Sequence, residues 1–246
     1  MAKIKFGAIV TDMRGKVGSQ VFSKNRFGAY ARGFKVNVIS ATPAQITARN
    51  RLATFSTAWR SLLQSTRDAW NEAVPNFKHT NIFGSIISPS GFDLYVKLNC
   101  NLDQIGIARL VNPPSPGLIQ NVSNLSIAAD QVAGTLTISF DDSLVSADHY
   151  FIFSTTNCIS PGIKYVKNLL RAIAIVPQGT ASPYNAFAEF IAKYGALVAS
   201  QRISVSCVSV NSITGQKSAP VYATTLVAGL AGLDYTEALD TGIPLT

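Results

Sequence analysis

The spacing of apolar positions changes character twice along the chain, and the changes predict three kinds of structure. In residues 1–40 the apolar side chains come in short runs broken by Gly7, Gly15, Gly18, Gly28 and Gly33. Val17, Val21, Phe22, Tyr30, Phe34, Val36 and Val38 are of the branched or aromatic kind that suits strands. The stretch Lys24, Asn25, Arg26, Phe27, Gly28 lies between two such runs and predicts a hairpin tip, with residues 17–23 pairing against 29–36. A two-stranded ribbon is marginal in water by itself. The arm is therefore expected to fold back on its own domain or to add to another sheet.

From Thr42 the period becomes helical. Thr42, Pro43 and Gln45 form the signature of a capping box, with proline at the first helical position. Leu52, Phe55, Trp59 and Leu62 then recur every three or four residues, one stripe of a helix ending near residue 63, with Arg49 and Arg60 off the stripe. Ser65 and Asp68 predict the start of a second helix, carrying Trp70 and Ala73 and stopped by Pro75. The pair reads as a helical hairpin with both tryptophans inward. A third helix is expected from Pro89 and Ser90, presenting Phe92, Tyr95, Leu98 and Leu102 before Gly106.

Beyond Asn112, Pro113, Pro114, Ser115, Pro116 and Gly117, which predict a stiff extended connector, the period falls to two. Runs at 125–128, 136–140, 150–154, 172–176, 203–210 and 221–226 read as strands, and residues 211–215 as the turn between the last two. Residues 185–194, with Phe187, Phe190 and Ile191 ahead of Gly195, read as an inserted amphipathic helix. The expected class is α+β: an N-terminal β-hairpin arm (1–40) and a small helical domain (41–111), a proline-rich linker (112–117), a fibronectin- or immunoglobulin-like β-sandwich (118–227) and a tail (228–246) without a strong period.

Charge follows the same divisions. Residues 1–110 hold fifteen Lys/Arg against five Asp/Glu, a net of +10, whereas residues 111–246 hold six against eight, a net of −2. Only 14% of residues are charged, against about 25% in ordinary soluble domains, while 47% are hydrophobic and the mean hydropathy is +0.22. Such a surface favours burial against other copies or other proteins, unless a Ser/Thr/Asn-rich β protein solvates itself without charge. The longest apolar stretch, 223–233, is interrupted by Thr224, Thr225, Gly229 and Gly232, so no membrane span is expected. The opening residues lack the apolar core of a secretory signal, which implies folding in the cytoplasm where the chain is made. Cys100, Cys158 and Cys207 are widely spaced and odd in number, so they read as buried free thiols rather than a disulfide framework or a zinc site.

Chemistry-bearing constellations are sparse. His79 and His149 have no metal-ligand partners at helical or strand spacing, and Asp141, Asp142 and Asp148 read as a solvated turn. No catalytic, cofactor-binding or metal-binding residue is assigned, and no enzyme activity is expected. The arm is different. Lys3, Lys5, Arg14, Lys16, Lys24, Arg26, Arg32 and Lys35 face Asp12 alone across the first thirty-five residues, with Phe6, Phe22, Phe27, Tyr30 and Phe34 interleaved. That composition docks on acidic protein surfaces or grips phosphates and stacks on bases. The glycines and strand pattern favour protein docking, through Lys16, Val17, Val21, Phe22, Lys24, Arg26, Tyr30, Arg32 and Phe34. Leu52, Phe55, Trp59, Leu62 and Trp70 are the expected helical core.

Arg14–Gly18, Val21–Arg26, Gly28–Arg32, the 42–51 stretch with Gln45 and Arg49, Trp59-Arg60 and Arg67–Asn71 resemble a family of tailed-bacteriophage virion proteins. Related N-terminal segments stand ahead of β-sandwich domains in proteins of Bacteroidetes and their phages, crAss-like phages included. The resemblance spans residues 15–102, and beyond Pro116 it rests on 201–205 and 215–218. It implies a structural part of a virion rather than an enzyme, without saying which part. Together with the low charge and an arm that is not stable alone, it leads to the expectation of a multimeric, ring-forming neck or tail component at the head-to-tail junction, with capsid decoration as the second reading. Its partners would be further copies of itself and other virion proteins of the portal, neck, tail or capsid. A nucleic-acid-binding module built on the basic arm, and an adhesive sandwich presenting an aromatic platform, are the alternatives of other classes.

Overall fold

The computed structural model describes residues 2–7, 10–25, 28–34, 42–77, 79–80, 83–84 and 86–229. Arg26 and Phe27, Lys35 with Val36 and Val38, and the tail from residue 230 onward lie outside the described residues, so the readings placed on them find no structural counterpart here. What is described is an α+β fold containing helices and antiparallel, sandwich-like sheets.

The arm is a four-stranded antiparallel sheet rather than a two-stranded ribbon. β1 (Ala2–Ile4), β2 (Gly15–Val17), β3 (Gln20–Asn25) and β4 (Gly28–Gly33) lie in the order β1-β4-β3-β2. The expected strand over 17–23 is split because Gly18 takes a positive φ of 57°, reversing the chain so that Val17 pairs with Gln20. The hairpin itself stands in register, with Gln20 opposite Gly33 and Asn25 opposite Gly28.

The helical block starts where the capping residues predict. α1 (Pro43–Arg60) is closed by reciprocal bonds, Gln45 N–H to Thr42 Oγ1 at 3.4 Å and Thr42 N–H to Gln45 Oε1 at 3.1 Å. α2 (Gln64–Ala73) begins on Leu63, two residues before the expected Ser65, without a side-chain cap. Arg67 ties the corner instead, its guanidinium donating to the Arg60 and Leu62 carbonyls. A 3-10 turn, Val74–Phe77, containing Pro75 ends the run, and a short pair, β5 (His79–Thr80) and β6 (Ile86–Ile87), precedes α3 (Gly91–Gln104), itself capped by Ser90 and Asp93.

Phe55, Trp70, Val74, Leu94, Tyr95 and Leu98 form the core of this block, with Trp59 and Leu62 half-buried against it. Trp70 is fully enclosed, edge-on to Tyr95 at 5.3 Å, and its Nε1–H donates to the Val111 carbonyl at 2.8 Å. Leu52 corrects the expected stripe: it is 50% exposed and outside the cluster. The buried contacts of helix α1 begin at Phe55, Arg51 reaches Asp103 of α3 as an ion pair, and the turns before it, including Ile46, are exposed. Nor do both tryptophans face fully inward, since the Trp59 ring sits at the margin against Phe92 and Tyr95.

The sandwich follows. β7 (Ser123–Asp130) and β8 (Thr135–Asp141) pair with the short β11 (Tyr184–Asn185) in the order β11-β8-β7, while β9 (His149–Thr155), β10 (Arg171–Pro177), β12 (Arg202–Asn211) and β13 (Val221–Leu226) form a second sheet ordered β10-β9-β12-β13. Alternate residues of β8 and β9, Leu136, Ile138 and Phe140 with Phe151 and Phe153, meet Ile203, Val205 and Cys207 of β12 in one core. α4 (Phe187–Tyr194) seals it with Phe190 and ends at Gly195, which has a positive φ of 86°. Burial raises the Cys207 thiol to about 12, which leaves it protonated and inert; Cys100 and Cys158 are only half-buried, against the expectation of three buried thiols.

Helical block and sandwich are joined by packing as well as by the connector. Leu102 and Ile105 at the end of α3 sit on Ile152 and Val210, which point away from the sandwich core. Around this contact Asn101 Nδ2 donates to the Gly215 carbonyl at 2.8 Å and Lys217 Nζ to Gln104 Oε1 at 2.6 Å. Burial, reinforced by nearby Arg51, depresses the Lys217 pKa. The connector is stapled to the same turn, Gly117 N–H donating to Gln216 Oε1 and Asn121 Nδ2 to the Ala219 carbonyl. Gly215 permits all of this: its φ is +70°, and a Cβ there would stand 2.6 Å from the Leu98 carbonyl oxygen.

Two substitutions test this architecture. Gly215→Ala is expected to destabilise the chain by about 1–3 kcal/mol in urea denaturation, from backbone strain and the clash on α3. Trp70→Ala is expected to cost about 3–5 kcal/mol, with Trp59→Ala costing clearly less; equal losses for the two tryptophans would contradict the burial difference.

Candidate assembly surface

In a paired sheet, residues directly opposite each other share a face, and neighbours along a strand alternate between faces. Applied to the arm register, Ile4 with Ala29, Ala2 with Ala31, Phe22 with both Gly15 and Ala31, and Val17 with Gln20 fall on one face. Lys3 with Tyr30, Ser23 with Tyr30, Val21 with both Lys16 and Arg32 fall on the other. The sheet is two-faced. One side carries Ala2, Ile4, Val17, Phe22, Ala29 and Ala31, interrupted by Gln20 and Lys24; the other carries Lys3, Lys16 and Arg32 around Tyr30 and Val21.

Phe34, just beyond β4, belongs with the basic side. Its N–H bonds back to the Ser19 carbonyl at 2.7 Å, and Lys16 Nζ lies 4.1 Å from the centre of its ring. Thus the expected docking residues are brought into one small sheet but divided between its faces: Val17, Phe22 and Lys24 on the apolar side, Lys16, Val21, Tyr30, Arg32 and Phe34 on the basic side. Lys3, counted among the arm's cations but not among the docking residues, completes the basic face, while Ile4 and the alanines complete the apolar one and escape a reading by composition. Alternation in each strand, combined with the hairpin register, was the signal that could have found them.

Neither face is fully covered, the inner residues Phe22, Ala29, Tyr30 and Ala31 being half-buried. Among the described residues of the arm not one is buried; Val17 is 63% and Phe34 53% exposed. No arm side chain enters the three core clusters of the molecule. Asp12 bridges to Arg14 at 3.4 Å, and among the described residues no acidic side chain pairs with Lys3, Lys16 or Arg32. A sheet needs a hydrophobic face packed on something to be stable, and this chain supplies no complete cover for it among the described residues.

Elsewhere the carboxylates and histidine of the expected acidic turn are used locally. Asp141 accepts from the Ser143 N–H and, through its other oxygen, from Ser123 Oγ, and these bonds hold its carboxyl below the ordinary range. Asp142 accepts from Gly179 N–H at 3.0 Å. His149 is buried, its Nδ1 2.9 Å from Ser146 Oγ and its Nε2 enclosed rather than presented to solvent, so the ring closes the loop it belongs to. Among the described residues no three His, Cys, Asp or Glu side chains gather as metal ligands.

The sandwich carries one basic depression, about 230 Å³, lined by Lys164, Tyr165, Lys167, Arg202 and Tyr222. It is smaller than ordinary ligand pockets of about 300 Å³ or more, and Arg202 is engaged with Thr224 Oγ1 and the Ile163 carbonyl. Its two tyrosines are nonetheless exposed aromatic groups on the sandwich, which attention to the tryptophans alone had missed. No described helix is long and apolar enough to cross a membrane. No known family model matches the chain, and no curated protein matches it.

Because the arm contributes nothing to the three core clusters, removing residues 1–41 is expected to leave the rest folded. The truncated protein should melt within about 2 °C of the full chain in calorimetry, given that surface changes shift stability by about 0.5 kcal/mol or less. A large loss of melting temperature would show that the arm packs on its own body.

Proposed function

We propose that this chain is a structural subunit of a multimeric particle, docking the apolar face of its arm sheet onto the next copy. The observation that carries this reading is a four-stranded sheet with no buried residue among those described, on whose apolar face Val17 and Ala2 are exposed and Ile4, Phe22, Ala29 and Ala31 are only half-buried. The resemblance to tailed-bacteriophage virion proteins supports reading that particle as a virion, and the arm-to-body docking supports placing the chain in a neck or tail ring at the head-to-tail junction, made in the host cytoplasm.

The sandwich offers a complementary surface. Leu118 and Leu144 are each 78% exposed, and Leu144 lies in the loop that contains Asp142 and Asp148. An exposed leucine in a loop that carries acidic residues suits an apolar face on a segment of net +7, with opposite charges steering the approach. Arm on one copy and sandwich on the next are different patches, so the contact is heterologous, and heterologous contacts close into rings or run on as filaments. Two strands of six residues and two of three, about 4.8 Å apart, give a face of roughly 300 Å², well below the roughly 800 Å² per partner of a stable pair. A single arm contact is therefore weak, and many contacts made together hold the assembly. Capsid decoration uses the same contact on a different lattice.

Sedimentation equilibrium of the full chain, from micromolar to near-millimolar concentration, tests the docking. Association rising with concentration is expected, and the Ile4→Ser/Phe22→Ser variant should remain monomeric with an unchanged sandwich melt. A wild-type chain that stays monomeric across the range, or a variant that associates equally well, would overturn docking between copies.

A further inference from the structure

When the apolar face is covered by a neighbour, the opposite face of the same sheet still looks outward. That face carries Lys3, Lys16 and Arg32, none paired with an acid among the described residues, with the Tyr30 ring between Ser23 and Lys3 across the strands and Arg32 two residues along. Lys16 is held over Phe34, which fixes one cationic corner of the platform. We infer that this face binds single-stranded nucleic acid without regard to sequence, its cations on the phosphates and Tyr30 stacking on a base.

The form of the ligand follows from the shape of the sheet. Four strands span about 14 Å, wider than the roughly 12 Å major groove of duplex DNA, so the face cannot enter a groove broadside. A flat platform with cations around an aromatic ring matches a single strand, whose bases are free to stack and whose backbone can track the charges. An acidic protein would satisfy the lysines and arginine but would leave Tyr30 without a role. The inference does not depend on docking between copies, since it uses the other face and different residues.

Fluorescence anisotropy of the full chain with a labelled oligo-deoxythymidine of about 16 nucleotides tests it. With three phosphate contacts the affinity is expected to fall with salt at a log–log slope near −2, about twenty-fold between 50 and 200 mM. The Lys3→Gln/Lys16→Gln/Arg32→Gln variant should flatten that slope, Tyr30→Ala should weaken binding about tenfold with Tyr30→Phe restoring it, and Val132→Ser, at an exposed turn of the sandwich, should change nothing. No binding at 50 mM salt, a slope near zero, or a triple variant that binds like wild type would overturn the inference. So would equal or tighter binding of a mixed-sequence duplex, or equally tight binding of polyglutamate.

Discussion

A β-sheet has two faces, and the free energy of forming one comes mainly from what covers them. The N-terminal sheet of this chain is a case where the described molecule covers neither fully. Everything proposed for its role depends on that constraint. The sandwich and helical block complete their own cores, with Phe151, Phe153 and Phe190 enclosed in one and Trp70 and Tyr95 in the other. The arm has the backbone pairing of a folded sheet and the side-chain exposure of an unfinished one. The docking proposed for the arm accounts for that division.

The joint between α3 and the sandwich is the complementary feature. Leu102 and Ile105 use the outer side of β9 and β12, a side that an isolated sandwich leaves to solvent. Lys217 is drawn into that contact despite the cost of burying an ammonium, and Gln104 satisfies it. The helical block is thus carried on the sandwich by a packed contact, not merely strung to it by the prolines at 113–116.

Much of the fold was legible in the sequence because its signals are local. The capping pairs at Thr42 and Ser90, the glycine stop at Gly195 and the alternation in 136–140 and 150–154 each act within a few residues, and the elements stand where those signals point. Leu52 was misread because the stripe drawn through the large apolar residues is offset from the face that packs: Arg51, Phe55 and Ala58 turn toward the block while Leu52 stays exposed. Ser65 looked like a cap by type, yet the corner is made by Arg67 reaching back to α1, a contact that spacing does not encode. The candidate surface was only half visible. Its composition is plain from the residues, but the sorting of Lys16 from Val17 and of Arg32 from Phe22 depends on strand pairing, including a turn at Gly18 that divides one expected strand into two.

That sorting has an evolutionary consequence. Because side chains alternate every residue, inserting or deleting a single amino acid within β3 or β4 moves the following residues of that strand to the opposite side. Lysine and arginine would then be pressed into the apolar contact while phenylalanine and alanine turned toward solvent. Drift in the length of these strands is therefore tolerated in steps of two, and descendants of this arm should differ by even increments or by compensated pairs of indels.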